Sequence, residues 1–124
     1  ISLGNLTPTR DLTFVSDTVS GFLAAAASSE AVGQTVNLGT GSEISIGGLA
    51  GKIISIIGAD VEIREDEQRI RPSKSEVERL LSNPSKMSSL TGWRAEISLD
   101  EGLKRTVEWM KDRRQLYKSG IYNV

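Results

Sequence analysis

Residues 7–17 read TPTRDLTFVSD. A proline-bearing loop gives way to Arg10-Asp11, the next four residues alternate as in a short strand, and Ser16 and Asp17 stand where the cap of a helix belongs. A permanent cation at the mouth of a strand is either a solvated surface residue or one placed to meet an anion. The neighbouring segments decide the fold class and narrow that choice.

Downstream, the spacing of Val19, Phe22, Leu23 and Ala26 predicts a helix over about 17–28 with one apolar stripe. TVNLG at 35–39 reads as a strand ending in the turn Gly39-Thr40-Gly41. Ser45 is then placed to cap a helix over 46–57 carrying Ile46, Leu49, Ile53, Ile54 and Ile57, closed by Gly58. Gly47, Gly48 and Gly51 each cost that helix about 1 kcal/mol relative to Ala, so packing must hold it. Residues 59–66, ADVEIRED, predict a short strand, and an irregular segment follows with a short strand or turn near 76–81. Asn83-Pro84 starts a helix that Gly92 ends, and Ser98-Leu99-Asp100-Glu101 is a capping box. It opens a helix to about 118, with Leu103, Val107, Met110 and Tyr117 expected on its buried face. Strands alternate with helices, so the class is α/β, with too few strands for a complete doubly wound sheet.

The chain of 124 residues suits one domain or one lobe of a larger one. With 15 basic and 16 acidic side chains it carries no general field for nucleic acid or anionic lipid, so neither partner is expected and an anion would need a local site. No apolar run approaches the roughly 20 residues of a membrane-spanning helix. The chain has no cysteine and no histidine, which excludes disulfides, thiol catalysis, the usual zinc sites and Ser-His-Asp chemistry. The lack of cysteine fits a cytoplasmic protein, and the start at Ile1 reads as a piece cut from a longer chain.

Two glycine-rich stretches invite a phosphate-binding reading and fail it. Gly39-Thr40-Gly41 begins like a dinucleotide fingerprint, but Ile44 stands where the third glycine belongs. GGLAGK at 47–52 resembles the tail of a phosphate loop, but Ile46 takes the place of its first glycine, and the stretch lies inside a predicted helix. Both read as turn and packing glycines. Arg10, Arg64, Arg69 and Arg71 are fixed cations near loops, and an arginine's rigid fork suits phosphate oxygens. Any one of them is by default a solvated residue, but Arg10 and Arg71 each adjoin a proline-bearing loop. Glu65, Asp66, Glu67, Glu76 and Glu78 lack the apolar setting that general acid work requires and read as solvated. Asn37, in a predicted strand among apolar neighbours, either pairs with backbone or points at a ligand.

Four stretches, in order and through nearly the whole chain, carry a resemblance: ISLG with RDLTFVSD, then TVNLGTGSEISI, then RIRPSKSEVERLLSNPSKMSSLTGW, then SLDEGLKRTVEW. Together they resemble the C-terminal half of an extended short-chain dehydrogenase of the NAD-dependent nucleotide-sugar epimerase and 4,6-dehydratase family. LGNLTPTRDLTFVSDTVSGF is most similar to dehydratases acting on nucleotide-linked N-acetylglucosamine in legionaminic acid pathways. The resemblance implies a substrate-binding lobe of a Rossmann-type enzyme, with helices, a few short strands and an incomplete sheet. It implies that Arg10, Asn37 and Arg71 bind the diphosphate of a nucleotide sugar, and that Leu3 and Glu76 lie on the nucleoside side. Such enzymes oxidise the sugar at C4 with NAD or NADP, eliminate water across C5 and C6, and return the hydride to C6.

The departures from the family are equally informative. The N-terminal fingerprint and the Tyr-x-x-x-Lys pair are missing, since neither Tyr117 nor Tyr122 has Lys four residues on. The resemblance therefore places the catalytic and cofactor-binding residues in an N-terminal half upstream of Ile1, a partner this lobe would need. The complete enzyme could form a homo-oligomer. Two alternatives stand beside the dehydratase: a nucleotide-sugar 4-epimerase, and a non-catalytic module that binds a nucleotide sugar or, having lost the ligand, a protein. Without its other half the lobe is expected to leave the apolar faces of the helices at 17–28 and 46–57 partly uncovered.

Overall fold

The computed structural model describes residues 1–70 and 76–117. Among the described residues, four helices and five two-residue strands build an α/β lobe: β1 (Ser2–Leu3), β2 (Thr9–Arg10), α1 (Val15–Ala27), β3 (Ile44–Ser45), α2 (Ile46–Ile57), β4 (Arg64–Glu65), β5 (Arg79–Leu80), α3 (Ser85–Thr91) and α4 (Leu99–Lys111). β1 and β4 pair in parallel, with Ser2 opposite Arg64 and Leu3 opposite Glu65. The other sheet has the order β3-β2-β5: β2 runs antiparallel to β3, with Arg10 opposite Ile44, and parallel to β5, with Arg10 opposite Leu80. Among the described residues no sheet closes, as the sequence leads one to expect of an incomplete sheet.

Caps and glycines explain where most helices stop. The Ser45 hydroxyl accepts from Gly48 N at 3.0 Å, and Gly58 closes α2 in the left-handed region at φ 69°. Asn83 Oδ1 accepts from Ser85 N at 3.1 Å to start α3, which Gly92 ends at φ 73°. The Ser98 hydroxyl accepts from Glu101 N at 3.3 Å, which is one half of the capping box. The Glu101 carboxylate turns to Arg105 Nε at 2.7 Å instead of reaching back.

Several elements differ from the sequence expectation. α1 begins at Val15, with Phe14 rather than Ser16 or Asp17 at its cap and no side-chain cap bond. Asp17 is buried, and its Oδ2 accepts from Glu96 N at 3.2 Å and Ile97 N at 2.9 Å. A tertiary demand for an acceptor beneath the 96–97 turn has overridden the local capping preference. The strands expected over 35–39 and 12–15 join no ladder among the described residues, Val15 already opens α1, and the strand before it lies instead at Thr9–Arg10. The strand expected over 59–66 is reduced to Arg64–Glu65. The last helix ends at Lys111 rather than near 118, followed by a 3-10 turn at Arg114–Leu116.

The core is small. Met87, Trp93 and Ala50 are buried, and the Trp93 indole donates from Nε1 to Ser20 Oγ at 2.9 Å, which ties the end of α3 to α1. Gly21 makes this approach possible, since a Cβ there would meet Leu38 Cδ2 at 2.7 Å and Trp93 Cε2 at 3.2 Å. α1 thus turns its small side inward. The apolar stripe faces out, as expected of a face partly uncovered in this lobe, with Val19 52%, Phe22 68% and Leu23 66% exposed. α2 packs on α4, but Met110 and Tyr117, expected inside, remain exposed along an apolar groove shared with Ile53 and Ile57. Nothing among the described residues covers either apolar face.

Two stability predictions follow from these contacts. Asp17→Ala leaves the amides of Glu96 and Ile97 without their acceptor and should destabilise the fold by about 2–3 kcal/mol, read by denaturant unfolding. Asp17→Asn, which keeps one oxygen, should lose less, and equal loss in the two variants would contradict the hydrogen-bonding account. The second concerns Glu43, whose carboxylate accepts from Arg79 Nε at 2.9 Å and from Thr9 Oγ1 at 2.7 Å, so it joins β5 to β2. These bonds, the Arg79 one foremost, hold its pKa below the ordinary 4.5. A lowered folded pKa contributes stability above the ordinary value, and that contribution is lost as pH falls through the lowered one. The melting temperature of the wild type should therefore fall more steeply than that of Glu43→Gln over that acid window; parallel curves would refute the link.

Candidate functional site

β2 carries Arg10 into Asp11, and successive side chains of an extended segment leave on opposite sides. The Asp11 carboxylate gathers the loop at 40–41 and the backbone at 82. It accepts from Thr40 Oγ1 at 2.6 Å, Thr40 N at 3.0 Å, Gly41 N at 2.9 Å and Ser82 N at 3.3 Å. Gly39 is required beside it, because a Cβ there would lie 2.2 Å from Ser82 Cβ. Gly41 sits in the left-handed region at φ 74°, which lets two successive amides turn toward one carboxylate.

Arg10 is held on its own side. Its Nη1 donates to the Thr9 carbonyl at 2.7 Å, and its Nη2 meets Glu76 Oε1 at 3.3 Å. The two side chains are 23% and 15% exposed, so Glu76 is not the solvated carboxylate that its sequence setting suggested. Arg10 borders a cavity of about 330 Å³, together with Thr40, Ser42, Glu43, Glu96 and Ile97. Among the described residues Arg10 is the one cation lining it. The arrangement can grip one anionic group with a fixed guanidinium while hydroxyls of Thr40 and Ser42 stand nearby.

The other residues singled out by sequence fall in different places. Asn37 is exposed, and its side chain forms no hydrogen bond among the described residues. It lines a separate hollow of about 290 Å³ with Asp11, Leu80, Leu81 and Ser82, on the Asp11 side of β2. Leu3 lies half-buried in β1, paired with Glu65. Arg71 lies outside the described residues. Arg64 bonds Glu62 and Arg69 bonds Asp66, both locally in sequence. Sequence reasoning passed over Asp11 and Thr40. The signal was present: a Gly-Thr-Gly turn presents free amides, and an aspartate at a strand end is a natural acceptor for them.

No group of three or more acidic residues is placed to hold a metal ion among the described residues. Nor do they fit a dinucleotide. The amides of Thr40 and Gly41 are spent on Asp11, and Gly47, Gly48 and Gly51 lie inside α2.

A sequence model of the GDP-mannose 4,6 dehydratase family matches residues 1–106. The UDP-glucuronate 4-epimerase of Thermodesulfobacterium geofontis is 35% identical over 118 residues, covering 94% of this chain and 34% of the relative. The structure of the epimerase Mth375 from Methanothermobacter thermautotrophicus superposes with a TM-score of 0.83 at 32% identity, covering 93% of this chain and 34% of that one. The UDP-glucuronic acid 4-epimerase from Bacillus cereus, solved in complex with UDP-glucuronic acid and NAD, gives a TM-score of 0.78 at 25% identity, covering 94% and 35%. The chain spans about a third of the length of these relatives. In motif order, fold and family match, this chain belongs to the GDP-mannose 4,6 dehydratase family of extended short-chain dehydrogenases.

Proposed function

We propose that this chain is the nucleotide-sugar-binding lobe of an NAD-dependent 4,6-dehydratase, catalytic only together with an N-terminal half that binds the cofactor. The observation that carries the reading is the Arg10 guanidinium, fixed at the end of β2 beside a hydroxyl-lined cavity, in a chain that matches a nucleotide-sugar dehydratase family. In this reading Arg10 grips the diphosphate with Arg71, and Leu3 and Glu76 flank the nucleoside, while Asn37, in the hollow on the Asp11 side of β2, stands away from that anion. NAD or NADP, held by the other half, supplies the hydride acceptor and donor, and no residue described here takes part in that step. The exposed stripe of α1 and the apolar groove between α2 and α4 support an origin as part of a larger body, since exposed faces of this kind mark surfaces meant for cover. Among the described residues no helix is long and apolar enough to cross a membrane.

A second reading is 4-epimerisation, favoured by the 35% identity to a UDP-glucuronate 4-epimerase. The two are separated by product analysis: a dehydratase releases water and yields a 4-keto-6-deoxy sugar, whereas an epimerase inverts C4 without loss of mass.

In the complete enzyme, Arg10→Ala should weaken nucleotide-sugar binding by about 1.5–3 kcal/mol while leaving NAD affinity unchanged. Arg10→Lys should recover part of the loss, because lysine keeps the charge without the fork. An unchanged KM with full activity would remove Arg10 from the site.

A further inference from the structure

A hollow of about 530 Å³ lies between α2 and α4, lined mainly by Ile53, Ile57, Leu103, Val107, Met110 and Tyr117. The two helices pack on each other, yet Ile57 stays 52% exposed and Tyr117 48%. Water against so continuous an apolar surface is unfavourable, and the groove calls for cover. Tyr117 is both a wall of this groove and the last of the described residues before Lys118. The sequence continues Lys118-Ser119-Gly120-Ile121-Tyr122-Asn123-Val124, outside the described residues. The path of the chain therefore reaches those residues from the groove itself. Gly120 takes either hand of backbone and lets the chain reverse, and three of the four residues after it are apolar.

We infer that the occupant of this groove is the chain's own segment 120–124, which seats Ile121 and Tyr122 between α2 and α4. Reach allows it: five extended residues from Tyr117 to Tyr122 span up to about 17 Å, whereas Leu103 and Met110 stand about 10 Å apart along α4. Tethering favours it over a separate partner. A short tether holds its end at a roughly millimolar effective concentration, so a segment with an intrinsic dissociation constant of about 0.1 mM is docked in about ten molecules of every eleven. A second copy of the chain at micromolar concentration would need an affinity about a thousandfold higher for the same occupancy. The stripe of α1 lines no part of this groove. On this inference the groove no longer counts toward the surface left for an N-terminal half, and the stripe of α1 still does. The inference is independent of the reading of Arg10, which lines a different cavity.

The sequence has no cysteine, so a thiol introduced by Ile57→Cys reports on the groove, and one introduced by Val19→Cys reports on the stripe of α1. The test measures the rate at which N-ethylmaleimide modifies each, read at that residue by mass spectrometry. Each is placed in the full chain, in the full chain carrying Ile121→Asp and Tyr122→Asp, and in a chain ending at Tyr117. The expected result is a rate at position 57 about tenfold higher in both altered chains than in the full one, with the rate at position 19 the same in all three. The aspartate pair keeps the length of the chain and gives the answer should the shortened chain fail to fold. Equal rates at position 57 in the full chain and the aspartate pair would overturn the inference, whether the groove is then open or covered by another part of the protein. Protection at position 57 that is lost on dilution would also overturn it and would assign the groove to a second copy.

Discussion

One carboxylate holds the loops of this lobe in their arrangement around β2. Asp11 takes hydrogen bonds from Thr40 N, Thr40 Oγ1, Gly41 N and Ser82 N, joining three stretches that lie 29 to 71 residues apart. The strands themselves are two residues long and offer few ladder bonds, so side-chain acceptors must satisfy amides that a larger sheet would satisfy with backbone. With Asp11 fixed on one side of β2, the alternation of an extended chain commits Arg10 to the other. The Arg-Asp pair is thus a single device: the aspartate orders the scaffold, and the arginine beside it is the residue proposed to meet the ligand. Asp17 repeats the logic one turn into α1, where a buried carboxylate takes the amides of residues 96 and 97 and sets the loop that lines the cavity.

Much of the fold was legible because its punctuation is local. Ser45 with Gly58, Asn83 with Gly92, and Ser98 act through neighbouring backbone groups, and each marks its helix boundary to within a residue or two. What was not legible depends on distant partners. Asp17 looked like a cap, and only the position of residues 96–97 shows why it is not. TVNLG has a strand's composition, but composition cannot supply a neighbouring strand, and none lies among the described residues. The stripe of α1 was read as apolar and expected to stand partly uncovered, and it does, but periodicity gives a face and not what covers it. In the site, Arg10 and Glu76 were each noted, whereas their pairing across 66 residues needed the fold.

The energetic picture is one of a small core serving a large surface. Met87, Trp93 and Ala50 are the buried hydrophobic side chains among the described residues, while Phe22, Leu23, Ile57 and Tyr117 lie open. A body of this kind draws its order from polar ties and from whatever covers its apolar faces, which agrees with a chain spanning about a third of the length of its relatives. The proposed anion site lies among these polar ties, and in that proposal a rigidly placed guanidinium does the work that a broad positive field, which this chain lacks, would otherwise do.

The most direct measurement is the structure of the complete protein with a bound nucleoside diphosphate. The account predicts a phosphate oxygen within hydrogen-bonding distance of the Arg10 guanidinium, Glu76 displaced from it, and the bonds from Asp11 to Thr40 and Gly41 unchanged. A diphosphate bound elsewhere, with Arg10 still on Glu76, would contradict it.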